Sequence, residues 1–338
     1  MSTKSKKNKN KKRRILLALL LILFTGSILT ASTYAWFTSN RTVRVESIDV
    51  QVTTANGLQV STDAVNWKTI ISNADLIATL ADGFVYTNTN QLPLKSRSRT
   101  VKPVSTAKEI ANNKMKMYLG NLEYDGGGNP VLTTTQSVER KGDEGDFVAF
   151  DLFFQVTSDT TVKLATGSDV KVSTGTTSDK GLKSAARVAW LNIGSVGIDA
   201  TPAQARAITA SQASDIGVVL WEPNANAHTT AAINDAQSTY GLTVGAATVV
   251  SSYWGVNEEF SAQSLRNLDT NHGTKFGEVI PSIQSNVGGL TQDETWFTLS
   301  AGVTKIRFYL WIEGQDVDCE NNASGDAIGY QMSFTIAD

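Results

Sequence analysis

Two stretches near the end of the chain alternate with a period that only an extended strand can use. Ile306, Phe308, Leu310 and Ile312 occupy every second position, and Ile328, Tyr330, Met332, Phe334 and Ile336 do the same. Successive side chains on a strand point to opposite faces, so each stretch presents one apolar face to a core. Phe150, Leu152, Phe154 and Val156 alternate with Asp151 and Gln155, which predicts a strand with one buried face and one wet face. Shorter runs continue the pattern: Val162 with Leu164, Val170 with Val172, Val188 with Trp190, then Ile216, Val218 and Leu220. Turns rich in Ser, Thr, Gly and Asp separate them. Helical signals are confined to Asn73 to Asp82, Thr106 to Leu119 and Pro202 to Ala210, and no βαβ rhythm appears. These features predict an all-β fold, an antiparallel β-sandwich of jelly-roll type with loop and short-helix insertions near residues 70–145 and 222–300.

The start of the chain adds a second constraint. Eight basic residues between Lys4 and Arg14 precede an apolar run, Ile15 to Phe24, and a small, polar exit that ends Thr33-Tyr-Ala35. That order is the layout of a secretory signal peptide. The apolar run is about half of the roughly 20 residues a membrane-spanning helix needs. Cleavage is expected after Ala35, with Ala31 and Ser32 as competing sites. An uncleaved anchor is the alternative if the segment continues through Tyr34, Trp36 and Phe37. The expected division is therefore a signal peptide over 1–35 and one elaborated β-sandwich domain over 36–338.

Beyond the cut, Val43 and Val45 share one parity, whereas Ile48, Val50 and Val52 share the other. A β-bulge near Glu46-Ser47 accounts for the change. A terminal strand freed by proteolysis can complete its own sheet or pair with a neighbouring subunit, which makes these five residues the candidate assembly strand.

Charge and cysteine usage exclude several classes. The leader holds eight of the 30 Lys and Arg residues and none of the 32 Asp and Glu, so the remainder has 22 basic against 32 acidic groups, a net charge near −10. Nucleic acid is thus not expected as the main partner. Cys319 is the single cysteine, so no intramolecular disulfide can form.

Catalytic patterns are sparse. His228 and His272 are the two histidines, and neither belongs to a His-Glu-x-x-His pair. No Gly-x-Ser-x-Gly elbow is present. Ser105-Thr-Ala-Lys108 fits Ser-x-x-Lys, a pattern so short that chance is the better explanation, and Gly126-Gly-Gly128 lacks the Lys-Ser/Thr of a phosphate loop and is most simply a turn. Between the two closing strands, Asp316, Asp318 and Glu320 alternate in an acidic loop and can converge on a hard cation such as calcium. The same residues also suit a solvated loop, and no other cofactor is expected. Lys95-Ser-Arg97-Ser-Arg99-Thr-Val-Lys102 offers contacts to cell-wall polyanions or forms an ordinary wet strand edge. Trp190, Trp221, Trp254, Trp296 and Trp311 lie in or beside apolar runs, which favours core positions over carbohydrate stacking.

The basic leader, Ala35-Trp-Phe-Thr-Ser-Asn40 and the valine-rich strand resemble the opening of the TasA and camelysin-like secreted proteins of Gram-positive bacteria. Those proteins carry a signal peptide handled by a SipW-type signal peptidase. Trp311-Ile-Glu-Gly-Gln-Asp-Val-Asp-Cys319 resembles a segment of secreted proteins with the same kind of leader. Phe150-Asp-Leu, Arg187-Val-Ala-Trp and Trp221-Glu-Pro-Asn are similar to that group as well. The resemblance implies a secreted, cell-surface protein. With the reading of the strand, it gives the expectation of a non-enzymatic subunit of an extracellular fibre or biofilm matrix, self-associating through its N-terminal strand. A monomeric surface binding module or adhesin is the alternative, and a secreted hydrolase a more distant one.

Overall fold

The computed structural model describes residues 42–53, 57–86, 92–94, 96, 98–140, 144–173, 180–240, 245, 249–264, 273–319 and 326–337. Ala35 and the leader, Lys95, Arg97, His272 and Glu320 lie outside the described residues.

Strand β1 (Val43–Val52) leads into β2 (Gln59–Ser61), β3 (Ile70–Ile71), β4 (Arg99–Val101) and β5 (Pro103–Ser105). The hairpin β6 (Ile110–Ala111) and β7 (Lys114–Met115) precedes β8 (Met117–Tyr124) and β9 (Pro130–Ser137). Next come β10 (Val148–Val156), β11 (Thr160–Leu164), β12 (Asp169–Val172), β13 (Ala186–Val196) and β14 (Gly217–Glu222). After β15 (Tyr253–Val256), β16 (Phe260–Ser264), β17 (Phe276–Val279), β18 (Ile283–Gln284) and β19 (Glu294–Leu299), the closing strands are β20 (Gly302–Glu313) and β21 (Ala327–Ile336). Short helices interrupt them: α1 (Asn73–Ile77), α2 (Leu182–Ala185), α3 (Pro202–Arg206) and α4 (Thr230–Tyr240).

The all-β expectation holds, and the described strands form two large open sheets and two small two-stranded ones, β15-β17 and β6-β7. A seven-stranded sheet runs β19-β11-β21-β1-β3, with β12 also on β21 and β4 also on β1. A ten-stranded sheet runs β16-β9-β8-β5-β20-β13-β14-β18, with β10 also on β20 and β2 on β10. Both sheets are mixed rather than purely antiparallel, because β1 runs parallel to β21, β5 to β20 and β18 to β14.

The two sheets share one apolar core. Phe334 of the smaller sheet packs edge-on against Phe154 and Trp190 of the larger, with each ring centroid 5.8 Å away. Trp296 of β19 meets Trp190 at 5.9 Å. Trp190 and Trp221 stack at 6.0 Å on adjacent strands. Trp190, Trp221, Trp296 and Trp311 are all buried, so their role is packing, and Trp254 is half-buried.

A second apolar cluster covers the opposite face of the larger sheet. Phe147, Ala149, Leu191, Tyr309 and Trp311 pack there with Met115, Tyr253 and Val279. This corrects the wet face expected for β10. Asp151 is fully buried because the layer built by β6, β7, β15 and β17 lies over that side.

Two helix readings also change. The stretch Thr106 to Leu119 folds as the end of an extended segment, the β6-β7 hairpin and the start of β8. Asn112 and Asn113 take left-handed backbone angles, φ 52° and 61°, and so turn the chain where a helix would have continued. Helix α4 lies within a region expected to be polar loop. Its residues buried one turn apart, Ala232 and Ala236, are too small to mark an apolar stripe in the sequence.

Candidate functional site

The candidate assembly strand has a defined place. β1 lies inside the seven-stranded sheet, between β21 on one side and β3 and β4 on the other. Val43, Val45, Ile48, Val50 and Val52 are all buried, none more than 3% exposed. The change of parity is a bulge: Val45 pairs with Ile328 and Ser47 with Gly329, so Glu46 is the extra residue. This agrees with the position read from the valine spacing. A bulge between parallel strands is uncommon, and here it lets both halves of β1 bury their apolar residues.

The acidic loop is built differently from a solvated one. β20 ends at Glu313, and Asp316 to Cys319 fold back as a turn over the ends of β13 and β14. Arg187, near the start of β13, sends Nη2 to Glu222 Oε1 at the end of β14 and to Asp316 Oδ2 at 2.6 Å. Gln284 Nε2 donates to the other Glu222 oxygen at 2.6 Å, and the guanidinium stands 5.4 Å from the centre of the Tyr253 ring. Burial alone would lower the Arg187 pKa, but the Glu222 and Asp316 carboxylates outweigh it and raise it.

Asp318 is fully buried. Its Oδ2 lies 2.6 Å from His228 Nδ1, while Oδ1 accepts from the Thr229 N–H at 2.9 Å and its hydroxyl at 3.2 Å, just ahead of α4. Gly181, at φ 95°, makes this approach possible: a Cβ there would stand 2.6 Å from Asp318 Oδ1. Burial, more than anything else, raises the Asp318 pKa to about 6. Glu313 is also fully buried and is raised to about 7 by burial, even though the Ser105 hydroxyl, Trp311 Nε1 and Gln315 N–H all hydrogen-bond to it.

His228, Asp316 and Asp318 bring ligand atoms within 4.8 Å of one another. The fit to calcium is nevertheless poor among the described residues. Asp316 Oδ1 accepts the Asp318 N–H at 2.9 Å and Oδ2 is held by Arg187, so every oxygen of the two aspartates already has a protein donor or His228 beside it. A hard cation wants six to eight oxygens, and here it would share those of the two aspartates with Arg187, His228, Thr229 and the Asp318 N–H.

Other candidates are dispersed. Ser105 Oγ accepts the Val256 N–H at 3.1 Å, whereas Lys108 Nζ donates to the Ile280 carbonyl, so the two do not form a catalytic pair. The Gly126-Gly-Gly128 stretch is a turn closed by Asp125, whose Oδ1 accepts from Gly127 and Asn129. Of the basic cluster, Lys102 is exposed beside Asp146, but Arg99 is buried and donates from Nη2 to Asn73 Oδ1 at 3.3 Å. The wet-edge reading therefore fails at Arg99, because β4 is zipped onto β1.

Sequence reasoning missed Asn73, Arg187 and Glu222 as partners. The signal that could have found the last two was present, since the Arg187, Trp221 and Trp311 segments were singled out separately and converge on one cluster. Comparison of the chain with protein-family models, curated proteins and solved structures finds no match.

Proposed function

We propose that the protein is an exported structural subunit of an extracellular fibre or matrix, without enzymatic activity, that assembles by passing β1 between copies. The supporting observation is the position of β1: the first described strand fills a central place in a sheet, with all five apolar residues buried. Removing it would open a slot lined by the exposed edges of β21, β3 and β4, and the strand that fits is carried by every copy. Donation from one copy to the next is head-to-tail and does not close, so it generates fibres.

The architecture that goes with this reading is a β-sandwich of jelly-roll type. Its support is that β20 and β21, adjacent in sequence, belong to different sheets, as do β10 and β11. The Arg187 cluster then acts as a clasp for the β20-β21 crossing.

Electron microscopy of the secreted protein tests the assembly reading, and mass spectrometry of its N-terminus tests export and cleavage near Ala35. Fibres from a chain that begins close to Trp36 are expected. Correctly cleaved protein that stays monomeric at high concentration, with β1 protected from hydrogen exchange, would replace this reading with that of a surface binding module.

A further inference from the structure

One edge of β1 is not continuously paired. β4 covers Val43 to Val45 and β3 covers Val50 and Gln51, which leaves residues 46–49 between them. Asn73, the first residue of α1, fills this gap with its side chain. Its Oδ1 accepts the Ile48 N–H at 3.2 Å and its Nδ2 donates to the Glu46 carbonyl at 2.5 Å. A carboxamide carries an acceptor oxygen and a donor nitrogen side by side, which match the N–H and the carbonyl that the bulged backbone presents here, while Arg99 Nη2 also donates to the same oxygen. Helix α1 holds the residue in place, since Asp75 Oδ2 accepts the Ser72 N–H at 2.9 Å just ahead of it.

The other edge is selective in a complementary way. Gly329 lies against the bulge, and a Cβ at that position would stand 2.2 Å from Ser47 Oγ. The Ser47 hydroxyl can point at β21 in this way because no side chain is there.

We propose that Asn73 and Gly329 form a register key for the assembly strand. The slot accepts a parallel strand with one extra residue at the position of Glu46, and the partner it selects is β1 of a second copy of this chain. The second-copy part rests on the fibre reading above; the key itself also acts on the strand a molecule retains. A strand without the extra residue would leave Asn73 facing the wrong groups. A slip by one residue would turn a whole half of the strand outward.

Deletion of Glu46 supplies the test. It joins Val45, opposite Ile328, directly to Ser47, opposite Gly329, so the ladder becomes regular and all five apolar residues share one parity. The full chain is compared with Asn73→Ala, with the deletion, and with both changes. In the bulged chain, Asn73→Ala is expected to speed hydrogen exchange across 43–52 about tenfold relative to β10 and β20, and to slow fibre growth by a similar factor. In the chain lacking Glu46 the same substitution should change neither. If Asn73→Ala prevents folding of the bulged chain, recovery on deleting Glu46 supports the key, and failure in both backgrounds overturns it. Equal effects in both backgrounds, or unchanged exchange across 43–52, also overturn it. If the unmodified protein forms no fibres, the fibre reading fails while the exchange comparison on the monomer still decides whether Asn73 reads the bulge.

Discussion

Asp151 and Arg307 stand directly opposite one another on β10 and β20, joined by two hydrogen bonds, Nε to Oδ1 at 2.6 Å and Nη2 to Oδ2 at 3.1 Å. Lys305 Nζ adds an ion pair to Asp151 at 3.5 Å, and Glu139 stands on the far side of Arg307. A buried pair of this kind stabilises little relative to an apolar pair, but losing one member leaves an uncompensated charge. Asp151→Asn is expected to lower stability by about 3 kcal/mol, whereas Asp151→Leu combined with Arg307→Met should cost much less. Urea unfolding of the three proteins checks this. A double substitution as damaging as the single one would mean that the pair is net stabilising.

Val50 lies in β1 between Met332 of β21 and Ile71 of β3 and is fully buried. Val50→Asp places a charge against the shared core, and a loss of about 3–5 kcal/mol is expected, in line with an unpaired buried ion. The subunit should remain folded at low temperature, with a lower Tm, and fibres should be absent. Wild-type fibre growth by this variant would place the assembly contact elsewhere.

Glu313 and Asp318 make the fold prefer mild acidity. The Glu313 pKa rises from 4.5 to about 7 on folding, so the folded state favours the neutral acid. Its contribution is complete below pH 4.5 and is lost as pH rises through 7, on the order of 3 kcal/mol at about 1.4 kcal/mol per unit. Asp318 acts in the same direction between about 4 and 6. Asp63 acts oppositely. Burial pushes its pKa up, but hydrogen bonds from Asn66, Val65 and Ala81 bring it down to about 2, so its contribution falls away between about 4 and 2. Urea midpoints should therefore decrease from pH 5 to pH 8, and Glu313→Gln should flatten most of that slope. A midpoint that rises over this range would contradict the assignment.

Calcium is expected to leave the protein unchanged. Ligand binding to the native state must raise its stability, by about 2.7 kcal/mol at a hundredfold excess over Kd. With Arg187 and His228 already on the Asp316 and Asp318 carboxylates, Tm in millimolar calcium should equal that in chelator. An increase of several degrees would show that the ion displaces one of these partners.

The alternation of apolar residues places the strands and one buried face of each, but it conceals a second face that is covered as well. β1 and its bulge were legible because five aliphatic residues change parity once, and β21 because alternate positions are apolar. β10 and β20 misled because the larger sheet is covered on both faces, so Asp151, Arg307 and Tyr309 are interior despite their polarity. The acidic loop could be located from its carboxylates, yet their partners come from β13, β14 and the segment before α4, far away in the chain. Asn73 had no periodic signature at all. Its role depends on standing beside a gap between two short strands, a matter of tertiary placement alone.

The parallel pairing of β1 with β21 has a consequence for the order in which the chain can fold. Val45 faces Ile328 and Val52 faces Phe334, so the first described strand pairs with the last. Contacts between such distant segments carry the largest loop-closure cost and form late. Until β21 emerges, β1 lacks the longer of its two borders, while β3 and β4 offer it only five paired positions. Throughout that interval a newly made chain has an unplaced strand and an unfinished slot at the same time. On the fibre reading proposed above, closure of β1 on its own molecule competes with an encounter with a second chain, so the outcome would depend on protein concentration at the moment of folding.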